Sequence, residues 1–301
     1  FPYTTLFRSG ALEAAPWIIG MFTNGLDQIN QFGQHLKVIS GNISQVFAKM
    51  DDIKSLDGDF TTRVLHVSDI HNNPAAIDFM DQIVKSFNVD FIIDTGDITD
   101  YGTPFEDALI NKISELPVPY VFVAGNHDSI NTVKLLKSTR NVYVLDDSTA
   151  VLSGINILGF ADPNSKTEYI KTPDVTEIME HSSYIHERLD NFKPDILVVH
   201  NPDTSKELLG KVPVILNGHN HKLSFSQRDG TNIINAGTTG AAGIRGLQSR
   251  NDIPYTAVLL YFDKSNEDGR PALIALDLIK ISSIKAGFEI QRAFFDREAL
   301  P

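Results

Sequence analysis

Fold and candidate site are both decided by one stretch of the chain, YVFVAGNHD at residues 120–128. Its first five residues are apolar, which predicts a buried strand. Gly125 then allows the backbone to turn sharply off the end of that strand. The next three residues, Asn126, His127 and Asp128, bring an amide, an imidazole and a carboxylate to one strand tip. The stretch therefore predicts metal-binding or proton-transferring side chains at the end of a strand.

Four more apolar runs end in the same kind of chemistry. A single aspartate or histidine at a strand tip is more often a turn former or a satisfied polar group than a ligand. Five such tips in order favour one common set of hard-metal ligands. The four additional tips are Asp69-Ile70-His71 after residues 64–67, Gly96-Asp97 after residues 91–93, His200 after residues 196–199, and Gly218-His219-Asn220-His221 after residues 214–216.

The spacing of the tips predicts a sheet that is at least partly parallel. Asp69 and Asp97 are 28 positions apart, and Asp97 and Asn126 are 29 apart, close to the ~30 residues of a strand–helix–strand unit. Helix-like stretches fill the intervals, at 74–87 and 105–116. Because ligands of open α/β sheets bind at the carboxyl ends of the strands, we expect all candidate side chains in one crevice.

After Val142 the pattern changes to short strands. Turn signals such as Ser-Gly, Arg-Asp-Gly and Lys-Ser-Asn are typical of β-hairpins. They separate apolar or alternating runs at 150–152, 155–158, 223–227, 231–234 and 256–262. The sequence therefore predicts a mixed α/β architecture rather than a parallel sheet throughout.

The composition limits the classes of partner. The 301 residues include 26 basic and 38 acidic side chains, which gives a net charge of -12, and non-specific nucleic-acid binding normally requires a basic face. No nucleic-acid partner is therefore expected, and a phosphate-bearing substrate would have to be attracted locally. The chain has no cysteine, which excludes disulfides and thiolate metal ligands.

The N-terminal segment is predicted to lie outside the part of the chain that carries the candidate metal ligands. Residues 1–9, FPYTTLFRS, resemble a translated sequencing adapter and are excluded as an artefact. Residues 10–60 are predicted as an N-terminal helical segment and a linker, because apolar residues recur at steps of three and four from Phe22 to Met50. This helix would either pack on its own domain, or form a coiled-coil seam or juxtamembrane stalk. The longest apolar stretch, 14–22, is shorter than the ~20 residues of a membrane-spanning helix.

Two pairs of candidate ligands are separated by one residue, Asp69 with His71 and His219 with His221. In an extended segment both members of such a pair project to the same side, so the pairs are expected to converge on one ion. Carboxylate, imidazole and amide ligands suit manganese, iron or zinc. Asp97 is well placed to bridge two divalent ions, whose positive charge would attract phosphate to an acidic protein.

As an ordered set, these motifs resemble the complete motif set of the calcineurin-like metallophosphoesterases. The resemblance implies a fold of the α/β class, a four-layer αββα sandwich of two mixed β-sheets flanked by helices. The matching domain is expected at 61–285, after the N-terminal helical segment and before a C-terminal tail at 286–301. Two divalent metal ions are implied, one held by Asp69, His71, Asp97 and His221 and the other by Asp97, Asn126, His200 and His219.

The same resemblance implies the activity. A metal-bridging hydroxide would hydrolyse a phosphomonoester or phosphodiester, with His127 protonating the leaving alkoxide and Asp100 orienting His127. Two alternatives remain open, namely a non-catalytic metal-binding scaffold and a nuclease with the same metal core. Arg245, in the glycine-rich segment 235–246, is a candidate substrate contact unless that segment is only a tight inter-strand loop. The N-terminal helix also resembles that of a bacterial, membrane-anchored subgroup, so it is expected to serve membrane anchoring or self-association.

Overall fold

The computed structural model describes residues 61–100, 107–166, 173–241, 243, 253–263, 270–283 and 287–295. The predictions for residues 1–60, which are the adapter-like start, the amphipathic helix and the linker, lie outside these ranges. Within them, no helix is both long and apolar enough to cross a bilayer.

The described chain alternates strands with helices. The strands are β1 Thr61–Val67, β2 Phe91–Asp94, β3 Tyr120–Val123, β4 Val142–Leu145, β5 Ser148–Leu152, β6 Ile155–Phe160, β7 Ile196–Val199, β8 Val214–Asn217, β9 Ser224–Arg228, β10 Thr231–Asn235, β11 Tyr255–Asp263, β12 Ala272–Ser283 and β13 Gly287–Phe294. The α-helices are α1 Pro74–Phe87, α2 Asp107–Ser114, α3 Ile130–Ser138 and α4 Val175–Asn191. Short 3-10 helices span Pro163–Lys166 and Pro202–Leu208.

These strands form two mixed sheets. The first has the order β13-β12-β11-β1-β2-β3-β4 and the second the order β5-β6-β7-β8-β10-β9. Strands β1 to β4 are parallel, and so are β6, β7, β8 and β10. The remaining pairings are antiparallel. The parallel order predicted from the tip spacing is therefore confirmed, and so are the β5–β6 and β9–β10 hairpins.

Alternate side chains of the central strands serve two different cores. Val64 of β1 packs between the two sheets, whereas its neighbour Leu65 packs under the helices on the outer face. Helices α1, α2 and α3 cover the first sheet, and Ile185 and Leu189 of α4 pack on the second. Strands buried on both faces read as nearly continuous apolar runs, as observed here. The predicted four-layer αββα sandwich is confirmed.

Helix α1 begins and ends where its sequence indicates. Asn73 Oδ1 accepts the N–H of Ala75 at 3.0 Å, Pro74 occupies the first helical position, and Asn88 ends the helix in the left-handed conformation. The Asn73 side chain also donates to Gly240 O at 2.9 Å. The start of α1 is thereby tied to a loop from the far end of the sequence, next to the candidate site.

The predicted domain boundary at residue 285 falls too early. Strand β13 lies in the region assigned to a tail, and it pairs along β12 at the edge of the first sheet. Arg292 of β13 fixes this pairing, because its Nε and Nη2 donate to both carboxylate oxygens of the buried Asp277 at 2.6 Å. The strand was missed because its alternation of apolar and polar residues covers only residues 288–291 and breaks at Arg292.

Candidate metal centre

The predicted ligands lie at one end of the sandwich, where the carboxyl ends of parallel strands from both sheets meet. Backbone hydrogen bonds hold neighbouring tips together. Asp69 N–H donates to Gly96 O at 2.9 Å in the first sheet, and Gly218 N–H donates to His200 O at 2.9 Å in the second. Backbone hydrogen bonds therefore fix the positions of the tips independently of any bound metal ion.

The first ligand group consists of Asp69, His71 and His221. The two imidazole Nε2 atoms are 3.0 Å apart, and they lie 3.7 and 3.1 Å from Asp69 Oδ1. Asp69 is fully buried, and its Oδ1 accepts no hydrogen bond of normal geometry from the described residues. Since a buried carboxylate oxygen needs a partner, the convergence of these three atoms fits a divalent metal ion.

The second ligand group consists of Asp97, Asn126, His200 and His219. His200 Nε2 lies 3.3 Å from Asp97 Oδ2 and 3.1 Å from His219 Nδ1, and that same Nδ1 is 3.0 Å from Asn126 Oδ1. His200 Nδ1 donates to the backbone oxygen of Thr95 at 2.7 Å. This bond occupies Nδ1, so Nε2 is the nitrogen of His200 that faces the other predicted ligands.

Asp100 stands closer to a ligand than to the histidine it was predicted to orient. Its Oδ1 is 2.8 Å from His71 Nδ1 and 3.5 Å from His127 Nδ1. The shorter contact makes Asp100 the partner of His71 and fixes the Nε2 of His71 as the nitrogen that faces the first ligand group. Asp100 thus contacts both a ligand and the predicted proton donor.

The family model for calcineurin-like phosphoesterases matches residues 62–223, more than half of the chain. The chain belongs to this family. The recognition made from the motifs is therefore confirmed, and the matched range includes all seven candidate metal ligands together with Asp100 and His127.

Similar proteins extend this comparison. The uncharacterized protein YpbG of Bacillus subtilis (strain 168) is 26 % identical over 174 residues, which are 52 % of this chain and 60 % of that protein. The match thus spans less than two thirds of the relative. The solved structure of TT1561 of Thermus thermophilus shares the fold with a TM-score of 0.50 at 10 % identity, covering 78 % of this chain and 99 % of that one. An archaeal phosphodiesterase has a TM-score of 0.42 at 16 % identity, over 71 % and 99 % of the two chains.

The ligands of this calcineurin-like phosphoesterase converge for a different reason from the one predicted. The paired ligands are not extended, because Asp69, His71, His219 and His221 all have positive φ, between 48° and 69°. Asp97 shares this left-handed conformation, with φ 59°. Such conformations cost energy in non-glycine residues and are found mainly where a site requires them. Tight turns, rather than strand alternation, bring the pairs together.

Buried carboxylates in the site raise the pKa of two neighbouring imidazoles. Burial lowers the pKa of His71, but the hydrogen bond to Asp100 and the nearby carboxylate of Asp69 outweigh burial and raise that pKa to about 10. Burial also opposes the charge on His200, whose pKa the Asp97 carboxylate nevertheless raises well above its ordinary value. The buried carboxylates therefore favour the protonated form of both imidazoles. A divalent ion would supply the same charge and displace those protons.

The glycine-rich segment predicted as a loop or a substrate-facing lip braces the first ligand turn in its described part. Thr239 N–H donates to Ser68 O at 2.7 Å, and Thr239 Oγ1 accepts the N–H of Ser68 at 3.1 Å. A Cβ atom on Gly240 would collide with the backbone oxygen of Ile70, so only glycine permits this approach. Arg245, the candidate substrate contact, lies outside the described residues.

The sequence did not indicate the roles of two residues at the site. Thr239 holds the turn that carries Asp69, and Asp128 holds the turns that carry Asp97 and Asn126 through bonds from backbone N–H groups. The sequence placed Asp128 at a strand tip, as a candidate for metal binding or proton transfer. Its role was hidden because a residue whose partners are backbone groups from other motifs leaves no spacing pattern in the sequence.

Proposed function

We propose that this protein hydrolyses phosphomonoesters or phosphodiesters with two divalent ions, drawn from manganese, iron and zinc. The observation that carries the proposal is the convergence of the two ligand groups at one end of the sandwich, with His127 beside them. The first ion would be held by the first ligand group and the second ion by the second, and Asp97 would serve both. When bound, such ions lower the pKa of a water molecule and neutralise the charge of the phosphoryl group.

His127 is the residue proposed to protonate the leaving group. Its side chain is partly exposed, so a substrate oxygen can approach it. Its backbone N–H donates to Asp97 Oδ1 at 2.9 Å, which fixes its position relative to the second ligand group. Asp100 Oδ1 lies 3.5 Å from His127 Nδ1, and the ring would donate a proton to the leaving alkoxide and be reprotonated from solvent.

Catalysis is favoured over a scaffold role by the completeness of the site. A metal-binding scaffold has no need of a partly exposed histidine beside its ligands, nor of a carboxylate that contacts both that histidine and His71. Here both are present, together with every ligand of the two groups. The nuclease alternative has no comparable support, because the net charge of -12 opposes binding of a polyanion.

The test is a substrate panel. Purified protein is loaded with manganese, iron or zinc and assayed against phosphomonoesters and phosphodiesters with both good and poor leaving groups. Asp97→Ala, prepared in parallel, supplies the background rate. Hydrolysis of at least one class well above that background is expected. Full loading with two ions and no hydrolysis above background for any substrate would instead support the scaffold alternative.

A further inference from the structure

Asp128 lies behind the candidate site and connects two of its turns. Its carboxylate is 2 % exposed. Its Oδ2 accepts the N–H of Asp97 and the N–H of Gly125, both at 2.8 Å. Its Oδ1 accepts the N–H of Thr99 at 3.1 Å and lies 3.4 Å from the Thr99 hydroxyl. Both oxygens are therefore used to hold the turn after β2 against the turn after β3.

The connection is reciprocal. While Asp128 accepts the N–H of Asp97, the Oδ1 of Asp97 accepts the N–H of His127 at 2.9 Å. These two bonds cross between the same pair of turns in opposite directions. As a result, one oxygen of Asp97 is held by the backbone, and the other, Oδ2, is directed to His200 at 3.3 Å.

The turn that Asp128 holds is one that would otherwise relax. Asp97 adopts φ 59° and Gly96 φ 103°, and a non-glycine residue in this region is strained and persists only where its surroundings hold it there. A Cβ atom on Gly125 would collide with Asp97 Oδ1, so the two turns are in direct contact. A shift of either turn would therefore rotate the Asp97 carboxylate.

We propose that Asp128 is a positioning residue that sets the orientation of Asp97 and thereby decides whether two ions share that carboxylate. The inference rests on the proposed two-ion function and names the residue on which the sharing depends. Partners that hold a metal ligand typically contribute about 10–100-fold to metal affinity. Asp128 holds its ligand through the backbone, so its loss changes where the carboxylate points without removing a ligand.

Two substitutions of Asp128 remove its hydrogen-bond acceptors to different degrees. Asp128→Ala removes all the acceptors. Asp128→Asn keeps the shape, but an amide nitrogen takes the place of one oxygen, so at least one backbone N–H then faces a donor. Asp195 offers a matched control at the opposite end of the sandwich, because its buried Oδ2 accepts the backbone and side-chain N–H groups of Asn156, both at 2.8 Å. Asp195→Ala and Asp195→Asn report the general cost of losing a buried acceptor.

The experiment titrates each variant of the 301-residue chain with Mn²⁺ and follows metal binding by calorimetry and by electron paramagnetic resonance. Wild type and both Asp195 variants are expected to bind two ions and to give the spectrum of an exchange-coupled pair. Asp128→Ala is expected to bind its second ion about 10–100-fold more weakly and to give the spectrum of isolated ions. Asp128→Asn is expected to fall between these limits, and it decides the matter if the alanine variant has no cooperative melting transition.

The outcomes separate this inference from the proposed function. A wild-type protein that binds one ion would overturn both. A coupled pair in wild type that persists unchanged in the Asp128 variants would overturn the positioning role and leave the two-ion function standing. Loss of coupling in the Asp195 variants as well would reduce the role of Asp128 to general stability and would also overturn the inference.

Discussion

The two ligand groups are built from similar side chains but are supported differently. In the first group, His71 is held by the carboxylate of Asp100, and His221 is exposed to solvent. In the second, His200 is fully enclosed and held by the backbone oxygen of Thr95. The turn of the first group is braced by neutral groups such as the Thr239 hydroxyl, whereas the carboxylate of Asp128 braces the turn of the second.

This difference separates two tasks within one site. A ligand held by a buried backbone oxygen cannot easily move, so the second group is a fixed platform. A ligand held by a carboxylate becomes a stronger electron donor, and in the first group that carboxylate also lies near the proposed proton donor, His127. In the proposed function, the first group would therefore connect metal binding to proton transfer, and the second would provide rigidity.

The largest effect is expected when Asp97, a predicted ligand of the second group, is replaced. Asp97→Ala takes away a ligand of the second group and also the acceptor for the His127 N–H. We expect metal affinity to fall by more than about 100-fold, beyond the usual effect of losing a ligand's partner, and activity to fall with it. Metal content after gel filtration and the rate on a phosphomonoester measure both, with Asp195→Ala as the control. Wild-type metal content in Asp97→Ala would contradict the platform assignment.

The next effect distinguishes the proton donor from the ligands. His127→Ala keeps the backbone N–H that Asp97 accepts, so metal binding should persist while kcat falls. For substrates with poor leaving groups we expect a loss of about 10²–10⁴-fold, and for nitrophenyl esters a much smaller loss, because nitrophenolate leaves without protonation. Metal content is measured on the same samples. An equal loss for both leaving groups would remove the general-acid assignment.

Asp100→Asn tests whether the two ligand groups are supported independently of each other. The amide is a poorer acceptor for His71 Nδ1–H, so the ion of the first group should bind about 10–100-fold more weakly, while the ion of the second group is unaffected. Calorimetric titration resolves the two steps, and His200→Ala identifies which step belongs to the second group. If Asp100→Asn weakens that same step, the two groups are not supported independently.

The smallest effect is expected for Thr239, whose neutral hydroxyl supports the turn of the first group. Thr239→Val leaves the buried N–H of Ser68 without the acceptor that it has at 3.1 Å, which should lower the free energy of unfolding by about 1–3 kcal/mol. Activity of the folded protein should change little, since no ligand is touched. Urea unfolding measures the loss, and Thr149→Val on the exposed face of β5 is the control. A large loss of metal affinity would show that the hydroxyl acts on Asp69 as well.

The sequence predicted much of the fold because the parallel strands are buried on both faces. The apolar runs that end at Asp69, Asp97 and Asn126 were visible without a structure, and the tip spacing indicated how the strands pair. The edge of the first sheet was not predictable in the same way. The alternation of apolar and polar residues in β13 breaks at Arg292. This strand is held by the contact between Arg292 and Asp277, two residues whose proximity only the folded chain reveals.

That these side chains lie together was predictable from the sequence, whereas the way they are held was not. Histidine and aspartate at five strand tips pointed to metal chemistry, and the structure brings those residues together. The left-handed turns at Asp69 and His71, and the bond from His71 to Asp100 rather than from His127, depend on backbone torsions and on contacts between motifs. Residue spacing along a chain carries neither kind of information.

The position of β13 also limits where the chain can be truncated. Strand β12 is long and apolar on much of its length, and β13 pairs with it from Ala275 to Ser283. A chain ended at residue 285 would leave that edge of β12 unpaired, and a long, apolar, open edge is a template for aggregation. The charged and polar residues of β13, among them Glu289 and Gln291, are exposed at the present edge. This strand therefore protects the protein from self-association through its sheet.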